Sequence, residues 1–213
     1  MQLLAQFERS YRFAAAAALT NASNLLADAK LLQEHTRLSR AAALAVLGTE
    51  ECSKAIAYAL AAIHHGNESL HAILVTKHPV KYLLAASIEG ADIVTSENGE
   101  VWPSPKERII NIFIELASTP LNDLLSEATA KEYAQSHKSL SILTGSQIKE
   151  AAFYVSLNAA GDIELPERID KWASSEIISL ESLLETFGPL QNILLEDPPW
   201  SEFSEIIRSK IPR

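Results

Sequence analysis

The chain has 213 residues, enough for one substantial hydrophobic core, and its 47% hydrophobic and 21% charged residues are ordinary for a folded protein. Seven glycines are too few for an all-β fold with its many turns, whereas alanine and leucine, both strong helix formers, are abundant. The net charge of −9 gives no general attraction to nucleic acid or to an anionic membrane, so such binding would need a local basic patch.

The single cysteine and the distribution of apolar residues argue against further classes of protein, namely disulfide-bonded, cysteine-zinc and membrane-spanning ones. Cys52 has no second cysteine with which to form an intrachain disulfide or a paired-cysteine zinc motif. We interpret it as a small buried hydrophobe, because it lies in a helical apolar pattern. We find no signal peptide and no run of the roughly 20 apolar residues needed to span a bilayer. We therefore expect a cytoplasmic protein without membrane contact.

The N-terminal part of the chain predicts an antiparallel pair of long helices. Residues 1–36 form the first, with one apolar face at Ala18, Ala22, Leu25, Ala29 and Leu32. The second runs from Leu38 to about His64 and has a regular seam in steps of three and four residues. That seam consists of Leu38, Ala42, Ala45, Thr49, Cys52, Ile56, Ala59 and Ile63. Because the link between the helices is short, they should lie antiparallel.

A polar stripe of Asn21, Asn24 and Asp28 runs beside the apolar face of the first helix. Asparagine is a mediocre helix former, so two of them in the middle of a helix need a reason. Either the stripe faces solvent, or it forms a polar cluster against another helix. The sequence leaves both interpretations open.

The remainder of the chain predicts a series of shorter helices and one small extended region. The predicted helices cover 79–94, 105–118, 120–136, 139–150, about 167–186 and 200–210, with Gly188–Pro199 separating the last two. Residues 151–166 alternate like an extended segment or a small hairpin. The fold class is mainly α, and we predict a single domain over 1–213. In it, 1–95 form the core bundle, and 96–213 add helices and the hairpin.

The most informative segment is Thr49–Lys54, where Glu50 and Glu51 lie four and three residues before Lys54 and can meet it on one helix surface. The simplest interpretation is a set of surface ion pairs, each worth about 0.3–0.5 kcal/mol. However, these are almost the only charges between residues 41 and 63, and a helix of mostly Ala, Leu and Ile is expected to be buried over much of its circumference. A buried carboxylate must find a cation or a hydrogen-bond donor.

Metal-independent RNA cleavage needs a base, an acid and a cation beside the scissile phosphate. Glu50 or Glu51 with Lys54, His78 and Lys81 could supply that set, and Arg40 could add a further cation. A di-iron bundle needs two Glu-x-x-His pairs, and the chain has none, so we expect no metal. There is also no phosphate loop, nucleophile elbow or dinucleotide fingerprint, and no cofactor is expected.

Several motifs, in order, resemble those of the AbiV-type abortive-infection proteins of the HEPN superfamily. The N-terminal ones are Asn21–Ala29, Arg40-Ala41 and Glu50-Glu51-x-x-Lys54. The later ones are His78-x-x-Lys81 and Tyr154-Val155 followed by Gly161 and Pro166. The resemblance covers roughly residues 10–170. It does not reach the last 40 residues.

The resemblance implies an antiparallel helical bundle, frequently dimeric, that acts in bacterial phage defence. It implies shutdown of translation after infection, in some proteins on contact with a phage protein. Many HEPN domains are also metal-independent ribonucleases that use an arginine followed, after four to six residues, by a histidine. No arginine of this chain is followed by a histidine at that distance, so whether the chain is an enzyme stays open.

The leading hypothesis is an AbiV-like effector that halts translation by cutting RNA or by binding the translation apparatus, as a homodimer and with a phage protein as activator. We assign catalysis to Glu50, Glu51, Lys54, His78 and Lys81, and substrate binding to Asn21, Asn24, Asp28 and Arg40. The first alternative is a non-catalytic HEPN-like binding module in which Glu50, Glu51 and Lys54 only hold the helices in register. The second is a regulatory partner of a nucleotidyltransferase-type protein.

Overall fold

The structure, a computed structural model, describes residues 2–63, 105–118, 156–157, 163–164 and 173–211. These residues form six helices and two short strands. The helices are α1 (Gln2–Glu34), α2 (Leu38–Ile63), α3 (Pro105–Ser118), α4 (Ala173–Phe187), α5 (Leu190–Leu195) and α6 (Pro199–Lys210). The strands are β1 (Ser156–Leu157) and β2 (Ile163–Glu164). The predicted mainly α fold is confirmed.

Helices α1 and α2 form the predicted antiparallel hairpin. The turn between them closes through Thr36, whose φ of 57° is left-handed, and the Arg37 N–H donates to the Leu32 carbonyl at 2.8 Å. Further along the pair, the Tyr11 and Tyr58 rings lie 6.2 Å apart between centroids. The predicted bounds of both helices agree with the structure to within two residues for the described ends.

Helix α2 is the central helix of the described part of the chain. Its predicted seam is buried at every position except Leu38, which is half-buried. Alanines on its other sides, including Ala41, Ala57 and Ala61, are buried as well. Gly48 allows α1 and α4 to approach closely, because a Cβ there would lie 2.3 Å from Cδ2 of Leu180 and 3.4 Å from the Ala22 carbonyl oxygen. Burial on nearly all sides explains why α2 is so rich in small apolar residues.

The C-terminal helices complete the same core. Trp200, Phe203 and Ile207 of α6 are buried, and the Phe203 ring meets the Phe113 ring of α3 edge-on at 5.3 Å between centroids. The stretch 188–199, predicted only as the separator of the last two helices, contains the short helix α5. A helix of six residues is too short for periodicity to reveal, and α5 is fixed by burial of its Leu190 and Leu194 side chains.

The small hairpin is confirmed where it is described. Strands β1 and β2 pair antiparallel, with Ser156 opposite Glu164 and Leu157 opposite Ile163. The helices predicted over 79–94, 120–136 and 139–150 lie outside the described residues. Among the described helices, none combines the length and the apolar character required to cross a membrane.

Candidate functional site

The α2 polar segment, which we define as residues 49–54, lies in the middle of the central helix. Its two hydroxyl groups are satisfied within the helix itself. The Thr49 hydroxyl donates to the Ala45 carbonyl at 3.2 Å, and the Ser53 hydroxyl donates to the Thr49 carbonyl at 2.9 Å. Such bonds to the preceding turn let a hydroxyl be buried without a partner from another helix.

The three charged residues of the segment differ in exposure. Glu50 is 4% exposed, which is unusual for a carboxylate. Glu51 and Lys54 form an ion pair within the helix, and their side chains are 19% and 25% exposed. The pair is thus neither fully solvated nor sealed from solvent. The expectation that some of these charges are partly buried is confirmed.

Cys52, between the glutamates and Lys54, is fully buried. Burial disfavours the thiolate and raises the pKa of the Cys52 thiol from 9.0 to about 12. The thiol is therefore protonated at neutral pH and is not a nucleophile. This confirms its interpretation as a small hydrophobe.

The predicted substrate-binding residues lie on the surface. Asn21, Asn24 and Asp28 are exposed on α1, and Arg40 is exposed in the first turn of α2. Of the two explanations for the polar stripe, exposure is therefore the correct one. His78 and Lys81 lie outside the described residues.

A second polar centre, absent from the sequence-based prediction, joins the two ends of the chain. Its most buried member is Arg12, which is 9% exposed. The Arg12 guanidinium donates to the carbonyls of Leu194 at 2.9 Å and Glu196 at 3.3 Å, and it pairs with Asp197 at 3.1 Å. It also lies over the Trp200 ring, 5.2 Å from the ring centroid. One side chain of α1 thus holds the whole turn between α5 and α6.

Glu8 lies one turn before Arg12 and extends this centre toward the end of α2. Its carboxylate accepts a hydrogen bond of 2.6 Å from the Trp200 indole N–H and lies 3.6 Å from the Arg208 guanidinium. Arg208 in turn donates to the carbonyl of Ile63, the last described residue of α2, at 2.9 Å. We call Glu8, Arg12, Asp197, Trp200 and Arg208 the terminal hub.

The hub borders an open cleft of about 480 Å³ between α1 and the turn before α6. The cleft is lined by Ala5, Glu8, Arg9, Arg12, Phe13, Leu195, Asp197 and Ser201. Arg9 lies over the ring of the exposed Phe13, 5.5 Å from its centroid. Glu8, Arg12 and Asp197 all have partners within the fold, so we interpret the hub's main role as structural.

No group of three or more His, Cys, Asp or Glu side chains is placed to hold a metal ion within the described ranges. On α3, burial lowers the pKa of Arg108, and the nearby Glu185 carboxylate of α4 opposes that shift. This pair lies on α3 and α4, apart from the α2 polar segment.

The mainly α architecture is consistent with a HEPN-type helical bundle. The family model for AbiV matches residues 10–184, and the chain belongs to this AbiV family of HEPN proteins. Membership indicates a role in abortive infection, a form of phage defence. Neither the curated proteins nor the solved structures include one that matches the chain.

Proposed function

We propose that the protein is an abortive-infection effector that arrests translation by cleaving RNA, and that the α2 polar segment is the centre of its active site. The observation that carries the proposal is the burial of Glu50 beside the partly exposed Glu51–Lys54 pair on the central helix. A carboxylate is costly to bury because it must be desolvated, so a buried glutamate beside an accessible ion pair is a candidate for a functional site. The segment lies inside the family-matched region.

In this mechanism Glu51 is the general base and Lys54 the cation that stabilises charge on the scissile phosphate. Both side chains are accessible enough to meet a substrate, whereas Glu50 acts from behind as a positioning residue. A phosphate that approaches Lys54 draws the ammonium group from Glu51 and frees the carboxylate to accept the proton of the attacking hydroxyl. His78 and Lys81 are the proposed acid and second cation. The exposed stripe of Asn21, Asn24 and Asp28, with Arg40, is proposed to contact the substrate.

The proposed partners follow from the same family membership. RNA or the translation apparatus is the target, and a phage protein is the activator. We place the reaction in the bacterial cytoplasm, where translation takes place.

One observation favours the alternative of a non-catalytic binding module. Glu51 and Lys54 neutralise one another within a single helix turn, so both charges are accounted for without a substrate. In that case the segment stabilises the bundle, and growth arrest comes from binding to a protein partner.

The decisive experiment is incubation of the protein with total RNA in the presence of a chelator, with cleavage positions read by sequencing. We expect Glu51→Gln to reduce cleavage by about 100-fold, because general base catalysis contributes about 10²–10⁴-fold. Glu205→Gln is the matched control, since Glu205 is an exposed glutamate of α6, and it should cleave like wild type. Growth arrest that survives in folded Glu51→Gln, with no cleavage by wild type, would establish the binding module instead.

A further inference from the structure

Over residues 41–63, the central helix α2 is accessible along one narrow line. Five residues of this range are half-buried, and all the others are buried. The five follow one another in steps of three and four, so they lie within an arc of about 80° at 100° per residue. We call them the accessible row, which consists of Leu44, Leu47, Glu51, Lys54 and Tyr58. A molecule that reaches the ion pair in the middle of the row must therefore lie along this line.

The row differs in character between its two ends and its middle. One end is formed by two leucines, the middle by the Glu51–Lys54 ion pair, and the other end by Tyr58. From Leu44 to Tyr58 the row is about 21 Å long, at 1.5 Å per residue. Tyr58 follows Lys54 by four residues, so the two side chains are neighbours on the helix surface. The row thus offers a cation with an aromatic surface on one side and an aliphatic surface on the other.

Helix α1 borders the row and adds a second aromatic ring at its tyrosine end. The Tyr11 ring lies 6.2 Å from the Tyr58 ring between centroids, and the two ring planes are inclined by 31°. The register of the two antiparallel helices is fixed by this contact and by the approach of Gly48 to the Ala22 carbonyl. Between these two levels, the Glu51–Lys54 pair lies beside the alanine-rich residues 15–19 of α1. Small side chains there leave space next to the ion pair.

Single-stranded RNA has the chemistry that this row accommodates. Its phosphate can pair with Lys54, while a base splayed from the strand can stack on the Tyr58 ring. Electrostatic attraction alone gives little affinity, because the protein has a net charge of −9 and Lys54 is the one cation of the row. A duplex cannot use the ring, since its bases are stacked on one another. An apolar peptide would desolvate the ion pair without offering it a hydrogen bond.

We propose that Tyr58, with Tyr11 beside it, is a stacking platform for the base next to the scissile phosphate, and that the substrate is single-stranded RNA. This role rests on the proposed RNA cleavage and adds to it a residue that binds the substrate without taking part in proton transfer. Leu44 and Leu47 contact the strand on the other side of the scissile phosphate.

The first test measures binding separately from cleavage. The parent protein is Glu51→Gln, which lacks the proposed general base, and the probes are poly(U), poly(A) and the duplex that the two form. We expect the single strands to bind more tightly than the duplex. Adding Tyr58→Leu should weaken single-strand binding about 5- to 150-fold, the range of base–aromatic stacking. Adding Tyr58→Phe instead should preserve binding, because a phenyl ring also stacks.

Phe13→Leu in the same parent is the matched control. Phe13 is an exposed aromatic residue of α1 that points about 160° away from Tyr11, so its loss should leave binding unchanged. Far-ultraviolet circular dichroism checks that each variant is folded. Single-strand binding that Tyr58→Leu leaves unchanged would overturn the proposal, as would equal losses in Tyr58→Leu and Tyr58→Phe.

The outcomes separate the platform from the cleavage reaction. RNA cleavage by wild type, together with binding that is indifferent to Tyr58→Leu, would remove the platform alone. Single-strand binding that depends on Tyr58, without any cleavage by wild type, would remove the proposed cleavage and leave the platform as an RNA-binding site. The absence of any single-strand binding would remove both.

The second test uses the wild-type chain and does not require a variant to fold. Poly(U) that contains iodouridine is irradiated in the presence of the protein, and the cross-linked peptide is identified by mass spectrometry. Iodouridine cross-links to aromatic side chains on which it stacks, so we expect the link at Tyr58 or Tyr11. Cross-links confined to other residues would overturn the proposal.

Discussion

The α2 polar segment and the terminal hub both bury charged groups, but they satisfy them over very different distances along the chain. In the α2 segment the hydroxyl bonds and the ion pair join residues three or four apart. In the hub, Arg12 reaches Leu194 across 182 positions, and Trp200 reaches Glu8 across 192. Those bonds of the α2 segment form within one helix, whereas the hub exists only when the ends of the chain meet.

Because of this difference, we expect the two regions to control different properties of the protein. Removing a charge from the α2 segment leaves the backbone of α2 and its apolar packing intact. Removing a hub residue releases the turn before α6 and the helix that covers much of the core. We therefore expect hub variants to lose stability and α2 variants to lose function.

The largest expected effect is that of Arg12→Ala, which should lower the free energy of unfolding by about 2–4 kcal/mol. The substitution leaves the Leu194 carbonyl without its donor and opens a space beside the Trp200 ring. The exposed Asp197 contributes little of this, since water screens it. Urea denaturation measures the change.

Two further variants sharpen the Arg12 experiment. Arg12→Lys should also be destabilised, because one ammonium group cannot serve acceptors spread over three residues. Arg40→Ala, at an exposed position, should change the stability by less than about 0.5 kcal/mol. An Arg12→Ala variant as stable as Arg40→Ala would show that the hub does not hold the chain ends.

An intermediate effect is expected from the thiol inside the α2 segment. The pKa of Cys52 is raised to about 12 in the folded protein, so above pH 9 the unfolded chain releases a proton that the folded chain retains. This contribution is fully present below pH 9 and is lost as the pH rises toward 12. Between pH 9 and 10 the free energy of unfolding should fall by about 1 kcal/mol more in wild type than in Cys52→Ala.

Subtracting the Cys52→Ala profile from the wild-type profile cancels the contribution of lysines and tyrosines, because the two proteins share those residues. Parallel pH profiles for wild type and Cys52→Ala would mean that solvent reaches the thiol. In that case the α2 segment is more open than its buried side chains indicate.

The smallest expected effect on stability is that of Glu51→Gln, at less than about 1 kcal/mol, because the ion pair is short-range and partly solvated. Thermal unfolding checks this value. The small cost makes the variant suitable for the RNA experiment, since lost activity would then not reflect lost folding. A loss comparable to that of Arg12→Ala would place Glu51 among the structural charges and remove the contrast between the two regions.

Features that depend on local spacing could be predicted from the sequence. The seam of α2 repeats in steps of three and four over 26 residues, and the structure buries it as expected. The hairpin between α1 and α2 follows from a link too short for any other arrangement. The proximity of Glu51 and Lys54 follows from their separation by three residues.

Features that depend on where distant segments meet could not be predicted. Arg12 looks like any charged residue of a long helix until α5 and α6 are placed against it. Helix α5 has only six residues, and its position is set by burial of two leucines rather than by its own pattern.

The hub also sets the minimum length of chain that can be studied in isolation. The family-matched region ends at residue 184, before Phe187, Trp200 and Phe203, which are buried in the core shared by α1, α2 and α3. A fragment cut at that boundary would expose the apolar surfaces of those helices to water and leave Glu8 without its indole donor. Such a fragment should aggregate, and its failure to act would say nothing about the active site.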